Sequence, residues 1–410
     1  VSDLPESNRA ASRLVRTTFD EGLVSDTVAE CRADLGDGAD PTLAFAFCTP
    51  DWRPHVAALA ESLQVDGHAP VVLGCSGAGL VGVGQEDEDV SGFSVLLLSL
   101  PNTKAEVVNI SSRDLDRAEA GEDWRAITGI ADNRDEDPEN PDVHSPFGAW
   151  IALANPLDMQ SEAWLRNWNT AYDGVPTYGG LASGPSEPDG MFLFRETGIT
   201  DAAMTAVHFS GGVRIGGVVS QGCRPIGEPY TVTEADDNVL ISIGSRPAFE
   251  KLEEAFESLD EELRAEAQGN IFAGLAVSEY VDDFQRGDFL VRNILGGDPN
   301  AGVLALGALP RVGQTMQFQL RDSDSADEDL RLRCAAAQTR YGEPFAGLMF
   351  TCAGRGSHLF GMPNHDAGIV EDVFGRIPLS GFFCNGEIGP VGGRNHIHGY
   401  TASAAFFLNA

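Results

Sequence analysis

Lysine is nearly missing from this chain: among 410 residues it occurs only as Lys104 and Lys251. Acids number 62 against 27 bases, for a formal charge of −35. A surface of that sign repels nucleic-acid phosphates and anionic lipid at long range, which argues against both as partners. It suits a halophilic source, where carboxylates keep the surface hydrated; a GC-rich genome that favours Arg over Lys is the other reading. Long apolar runs are absent as well, and no segment approaches the roughly 18 residues that mark a spanning helix. The opening VSDLPESNRAASRLVRTTF lacks the apolar core of a secretory leader. The seven cysteines form no CxxC pair. Several sit in apolar runs, such as the one ending at Cys48, where a thiol behaves as a small hydrophobe; the pattern predicts a reducing cytoplasm.

What the chain does have is an internal repeat. LAFAFC, ending at Cys48, is an apolar strand, and helical spacing follows at Val56, Leu59, Ala60 and Leu63. A second strand runs into glycines in APVVLGCSGAG (69–79), and SVLLLSL (94–100) is a third strand. The order recurs as AWIALA, DMQSEAWLRNWNTAY, VPTYGGLASG and AMTAVHF (149–209). It returns as GLMFTC, DAGIVEDVF, IPLSGFFCNGEIG and SAAFFL (347–408). Strand, helix, strand, glycine turn, strand predicts an α/β chain of mixed sheets with helices packed on them, in two closely packed halves.

The segments between copies carry other signals. Residues 1–38 read as a helical lead-in, and the acidic 112–146 as a solvated excursion. Phe249, Leu252, Phe256, Leu259 and Leu263 make one amphipathic stripe, which predicts a single helix from Ser245 and Pro247 to Gly269. Ser325 is the expected cap of a helix that ends at Gly342.

Several motifs invite chemistry. GAGLVG (77–82) fits GxGxxG, but the acidic QEDEDVSG follows where a helix should open, so a dinucleotide site is not expected. GCSGA (74–78) departs from the GxSxG elbow at its fifth position. Cys352, His358, His365, Cys384, His396 and His398 include soft and imidazole ligands, yet at no standard zinc spacing, so no metal is expected; His396 and His398 are the candidates if one binds. Cys384 lies near Glu387 with the two histidines downstream. A nearby imidazolium would make it a thiolate nucleophile, and the alternative is a small buried residue at a strand end. Arg292 and Arg321 follow apolar runs and could clamp a carboxylate or phosphate, or else pair with Asp298 and Asp322.

Taken together, VVLGCSGAGLVG, VPTYGGLASG, GCRPIGEPYTVTEADDNVLISIGSRPAFEKL, DFLVRNILGGDPNAG, MQFQLRDSDSADEDL and GFFCNGEIGPVGG resemble the FIST domain family. The resemblance runs from about Leu43 to the end, with an N-terminal part at 39–240 and a C-terminal part at 241–410. It implies a cytoplasmic sensory module that binds a small molecule such as an amino acid. One branch of the family looks like haem-based nitric-oxide sensors, which would make His208, His396 or His398 the candidate ligands, although no cofactor is expected here. The C-terminal part also occurs in an F-box subunit of ubiquitin ligases, which keeps an interaction scaffold open. No kinase, methyl-accepting or PAS-like segment is present in this sequence, so a separate signalling protein would carry any output. The expected site is a cleft lined by the glycine turns at 74–79, 179–184 and 381–393. Its expected residues are Cys75, Ser76, Tyr178, Gly179, Arg292, Arg321, Cys384, Asn385 and Glu387, their backbone N–H groups exposed where side chains are missing.

Overall fold

The computed structural model describes residues 7–130, 148–159, 163–187, 189–281, 284 and 286–410. Contacts divide the chain into two compact units. The first comprises 1–219, 331–397 and 402–410, and the second 220–330 and 398–401.

The predicted repeat is the plan of the first unit. Each copy pairs its first two strands in parallel across a helix. Leu43–Cys48 lies beside Val72–Ser76, Ala149–Ala154 beside Thr177–Leu181, and Ala346–Cys352 beside Leu379–Cys384. The intervening helices are Val56–Val65, Ala163–Ala171 and His365–Phe374. Each third strand, Gly92–Ser99, Met204–Gly211 or Thr401–Asn409, returns antiparallel to the first. An additional strand closes each outer edge: Arg9–Arg16, Thr103–Ile110 and Val213–Gln221.

After its glycine turn, each copy sends a hairpin into the sheet of another. Gly79–Gly82 with Gln85–Glu88 joins the third copy beside Leu379–Cys384. The third copy's Glu387–Val391 with Arg394–His398 joins the second beside Thr177–Leu181. The second copy's Leu193–Arg195 with Gly198–Thr200 joins the first beside Val72–Ser76. The result is the same six-strand order three times, each sheet completed by a neighbour's hairpin.

Period-2 alternation then sorts the cores. Leu43, Phe45 and Phe47 face a shared interior with Ile151, Leu153, Leu348, Phe350 and Phe382. Ala44, Ala46 and Cys48 point the other way, against Val56, Leu59 and Leu63. On the second copy's outer face Trp168 meets Trp124, Trp150 and Trp164 at centroid distances of 5.3, 4.8 and 6.0 Å.

Four local expectations change. Residues 1–38 are not all helical: Arg9–Arg16 is a strand in register with Gly92–Ser99, and among the described residues of this stretch only Glu21–Asp34 is α-helix. The acidic stretch after Ser111 begins with helices Ser112–Glu119 and Trp124–Thr128 around a fully buried Trp124, and its remainder, 131–146, lies outside the described residues. The single amphipathic helix is two, Ala248–Glu257 and Glu261–Ala267, because the Asp260 side chain accepts from Leu263 N at 2.9 Å and starts a new helix. Ser325 lies inside the helix Ser323–Tyr341, and Asp322 caps it by accepting from Ser325 N at 2.9 Å. These two helices and the eight-stranded sheet built on Cys223–Asp236 make the second unit.

The cap assignment is directly testable. Asp322→Ala should cost about 1–2 kcal/mol, because it also loses the 3.0 Å ion pair with Arg224. Ser325→Ala should cost less than Asp322→Ala by urea denaturation, since its side chain is not the cap. The reverse order would return the cap to Ser325.

Candidate functional site

Glycine lets backbone approach backbone, and the three turns use that freedom on one another. The Ser183 hydroxyl of the second turn accepts from Ala78 N of the first at 2.7 Å and donates to the Phe383 carbonyl of the third. Asn385 N donates to Leu181 O at 3.0 Å, and Leu181 N to Gly386 O at 2.8 Å. A Cβ at Gly77 would stand 2.7 Å from Phe382 Cβ, one at Gly79 2.7 Å from Phe383 Cδ2, and one at Gly180 would overlap Cys384 Sγ. The turns therefore converge as expected, and they spend their close approach on packing.

Most of the expected site residues are sealed in this knot. Cys75, Ser76, Cys384 and Glu387 are fully buried, and Tyr178 nearly so. Gly179 pairs with Ile388, and its Cβ position is filled by the Ala152 carbonyl. Asn385 alone of this group is exposed, its amide 3.8 Å from Met191 Sδ. Burial pushes the Cys384 thiol well above the ordinary thiol range, and the Glu387 carboxylate pushes it further. A thiol held protonated and out of solvent is poorly suited to nucleophilic work. His396 and His398 sit on the strand Arg394–His398. His208 packs on Trp150 with centroids 4.9 Å apart and lies 4.0 Å from Glu106. Among the described residues no group of three or more His, Cys, Asp or Glu could hold a metal ion.

Arg292 and Arg321 belong to the second unit. Arg292 is buried and donates to Val291 O at 3.0 Å. The Arg321 guanidinium lies over the Tyr400 ring, 5.1 Å from its centroid. Asp322 pairs with Arg224, and Asp298 caps the turn at Asn300 N.

Tyr400 leads to a feature that sequence reasoning missed. A concavity of about 750 Å³ opens within the second unit, in the usual size range of small-molecule sites. Leu252, Phe256, Ile271, Phe272 and Ile294 give it an apolar lining. Glu253 and Glu257 come from the first helix, Arg264 from the second, and Asn293 and Tyr400 from elsewhere in the chain. Arg264 is fixed by one bond, Nη2 to Glu257 O at 2.6 Å. The Tyr400 hydroxyl donates to Asn293 Oδ1 at 2.6 Å, and its ring lies 4.2 Å from that of Phe272. Tyr400 also has φ +62°, a left-handed conformation rare for an aromatic residue and a mark of functional positions. The helix break at Asp260 builds this wall, since it turns Arg264 onto a second axis.

Comparison with known proteins identifies the family. The FIST N domain matches residues 42–246 and the FIST C domain residues 248–390. The chain belongs to the FIST family. An uncharacterized Mycobacterium tuberculosis protein is 35% identical over 410 residues, covering 100% of this chain and 98% of its own. An uncharacterized Mycobacterium bovis protein is 37% identical over 385 residues, 94% of this chain and 95% of its own. An F-box/LRR-repeat protein of Arabidopsis thaliana is 31% identical over 105 residues, 24% of this chain and 20% of its own. FIST domains are associated with small-ligand sensing in signal transduction. No helix among the described residues is long and apolar enough to cross a membrane.

The knot can be tested apart from any ligand. Ser183→Ala strips a partner from Ala78 N and from the Phe383 carbonyl, and should cost about 1–3 kcal/mol. Gly180→Ala overpacks against Cys384 and should cost a similar amount, about 1–3 kcal/mol. Equilibrium unfolding checks both, and neutral variants would mean that the turns are not packed on one another.

Proposed function

We propose that this protein is a small-ligand sensor of the FIST type, and that its ligand is a zwitterionic metabolite such as an amino acid, bound in the concavity of the second unit. The observation that carries the reading is the contrast between two places. The glycine turns have no room left, whereas the concavity joins an apolar lining to charges of both signs. Arg264 offers a guanidinium fork to a carboxylate. Glu253 and Glu257 suit an ammonium group. Leu252, Phe256 and Phe272 accept an apolar or aromatic side chain. Recognition of this kind makes and breaks no bond, requires no cofactor, and passes its output to a separate signalling protein.

The test is a thermal-shift screen of amino acids in molar KCl, a medium chosen for the acid excess. A binder should raise the melting point with its concentration, by the equivalent of about 2.7 kcal/mol at a hundredfold excess over Kd. Arg264→Gln should weaken that binder about 10- to 100-fold, the worth of a charge-assisted pair. Phe256→Ala should weaken aromatic amino acids more than alanine or glycine. Unchanged affinity in both variants would move the site elsewhere, and a Soret band on haem addition would favour a haem sensor.

A further inference from the structure

The acidic run QEDED, which ends the first copy's hairpin, is not a solvated turn. Gln85–Glu88 is a strand, and Glu86 and Asp87 are both buried in it. Glu86 and Glu88 hold a segment remote in sequence, 353–367. Glu86 N donates to Asn364 Oδ1 at 2.7 Å, and Glu86 Oε1 accepts from Ala367 N at 2.8 Å, in the first turn of the helix His365–Phe374. Glu88 Oε1 accepts from Ser357 N at 2.8 Å. The start of the segment is tied to the third glycine turn by Ala353 N donating to Cys384 O at 2.9 Å.

Two carboxyl groups meet at this clamp and are served unequally. Asp366 takes both forks of the buried Arg355, Nε at 2.6 Å and Nη2 at 2.8 Å. It also accepts from Thr351 Oγ1 at 2.8 Å and faces His365 Nδ1 at 2.9 Å. Burial alone would raise its pKa, but Arg355 and His365 hold it well below the usual carboxylate range. Glu86 is left with one backbone N–H, and its Oε2 is buried with no hydrogen-bond partner among the described residues. A bare carboxylate in that place, beside an ionised Asp366, is far costlier than a neutral acid.

We propose that Glu86 is a proton-operated latch: as a neutral acid it holds segment 353–367 on the strand Gln85–Glu88, and loss of its proton releases that segment. The groups around it set the direction. Asp366 and Glu88 oppose a charge on Glu86; Arg355 favours one, but its Nε and Nη2 are on Asp366 and its buried Nη1 makes no hydrogen bond to Glu86; His365 turns to Asp366, and Asp87 is taken by Arg16. Burial and the Asp366 charge push Glu86 up to about 8, against the smaller pull of Ala367 N–H and Arg355. An acid raised in the closed form keeps its proton there after the open form has lost it. Opening therefore releases one proton between the ordinary glutamate pKa and about 8, and closure weakens across that window as pH rises.

The test is hydrogen exchange of the Ser357 and Ala367 amides from about pH 5 to about pH 9.5, corrected for the intrinsic rate. The opening constant of the wild type should rise about tenfold per pH unit and level off near 8. In Glu86→Gln, a neutral isostere, it should not change with pH. A difference infrared spectrum of the two proteins at neutral pH should show a protonated carboxyl band in the wild type alone. A flat wild-type profile, an equal slope in Glu86→Gln, or no carboxyl band would each overturn the latch. The wild-type profile alone decides the matter if the variant does not fold.

Discussion

One hydroxyl, that of Ser183, ties together three backbone crossings on which the first unit depends. Each copy of the repeat must leave its own sheet and enter another, and each does so at a glycine turn. Chains that cross this closely have no space for a Cβ, so Gly77, Gly79 and Gly180 follow from the exchange of hairpins. The exchange also explains why no copy stands alone: every sheet has its inner edge completed by a strand from another copy. Sealing the crossings buries Cys75, Cys384 and Glu387, and burial in turn keeps the Cys384 thiol protonated.

The repeat was legible in the sequence because its strands and helices bury regular faces. LAFAFC, AWIALA and GLMFTC announce themselves by apolar content, and their helices by spacing. Elements whose partners lie far along the chain were not legible. Arg9–Arg16 has weak alternation and is held as a strand by Gly92–Ser99. Gln85–Glu88 is more obscure still, since four polar or acidic residues in a row imply solvent. Its two buried acids meet partners there, Glu86 the Ala367 N–H and Asp87 the Arg16 guanidinium, and the half-buried Glu88 meets the Ser357 N–H. The family was readable from the order of its glycine blocks. The concavity was not, because it is a space bounded by two helices, two strands and Tyr400, and no local pattern describes a space.

Acidic residues in this protein thus fall into two populations that composition cannot separate. Most contribute to the charge of −35 at the surface. A few are buried among the described residues, and several of these have defined partners. Asp366 binds Arg355 in bidentate fashion, and Asp329 accepts from Ser220 Oγ at 2.8 Å and Gln221 N at 3.0 Å. Salt screens the first population strongly and the second weakly. An acidic surface that responds to salt and buried carboxyl groups that barely do can therefore coexist in one chain.

Arg321 shows how the structure places a residue that sequence singles out. Sequence alone leaves a ligand clamp or a pair with Asp322 open, and the guanidinium lies over the Tyr400 ring. That ring sits on a backbone with φ +62°, a conformation that costs on the order of 1–3 kcal/mol and persists only when its surroundings determine it. Arg321, Phe272 and Asn293 supply that determination from three directions. An arginine face against an aromatic ring fixes orientation without competing for the hydroxyl, which stays on Asn293. Strain held in this way fixes one wall of the concavity in advance, and a preorganised wall would let the ligand proposed above bind without first ordering the protein.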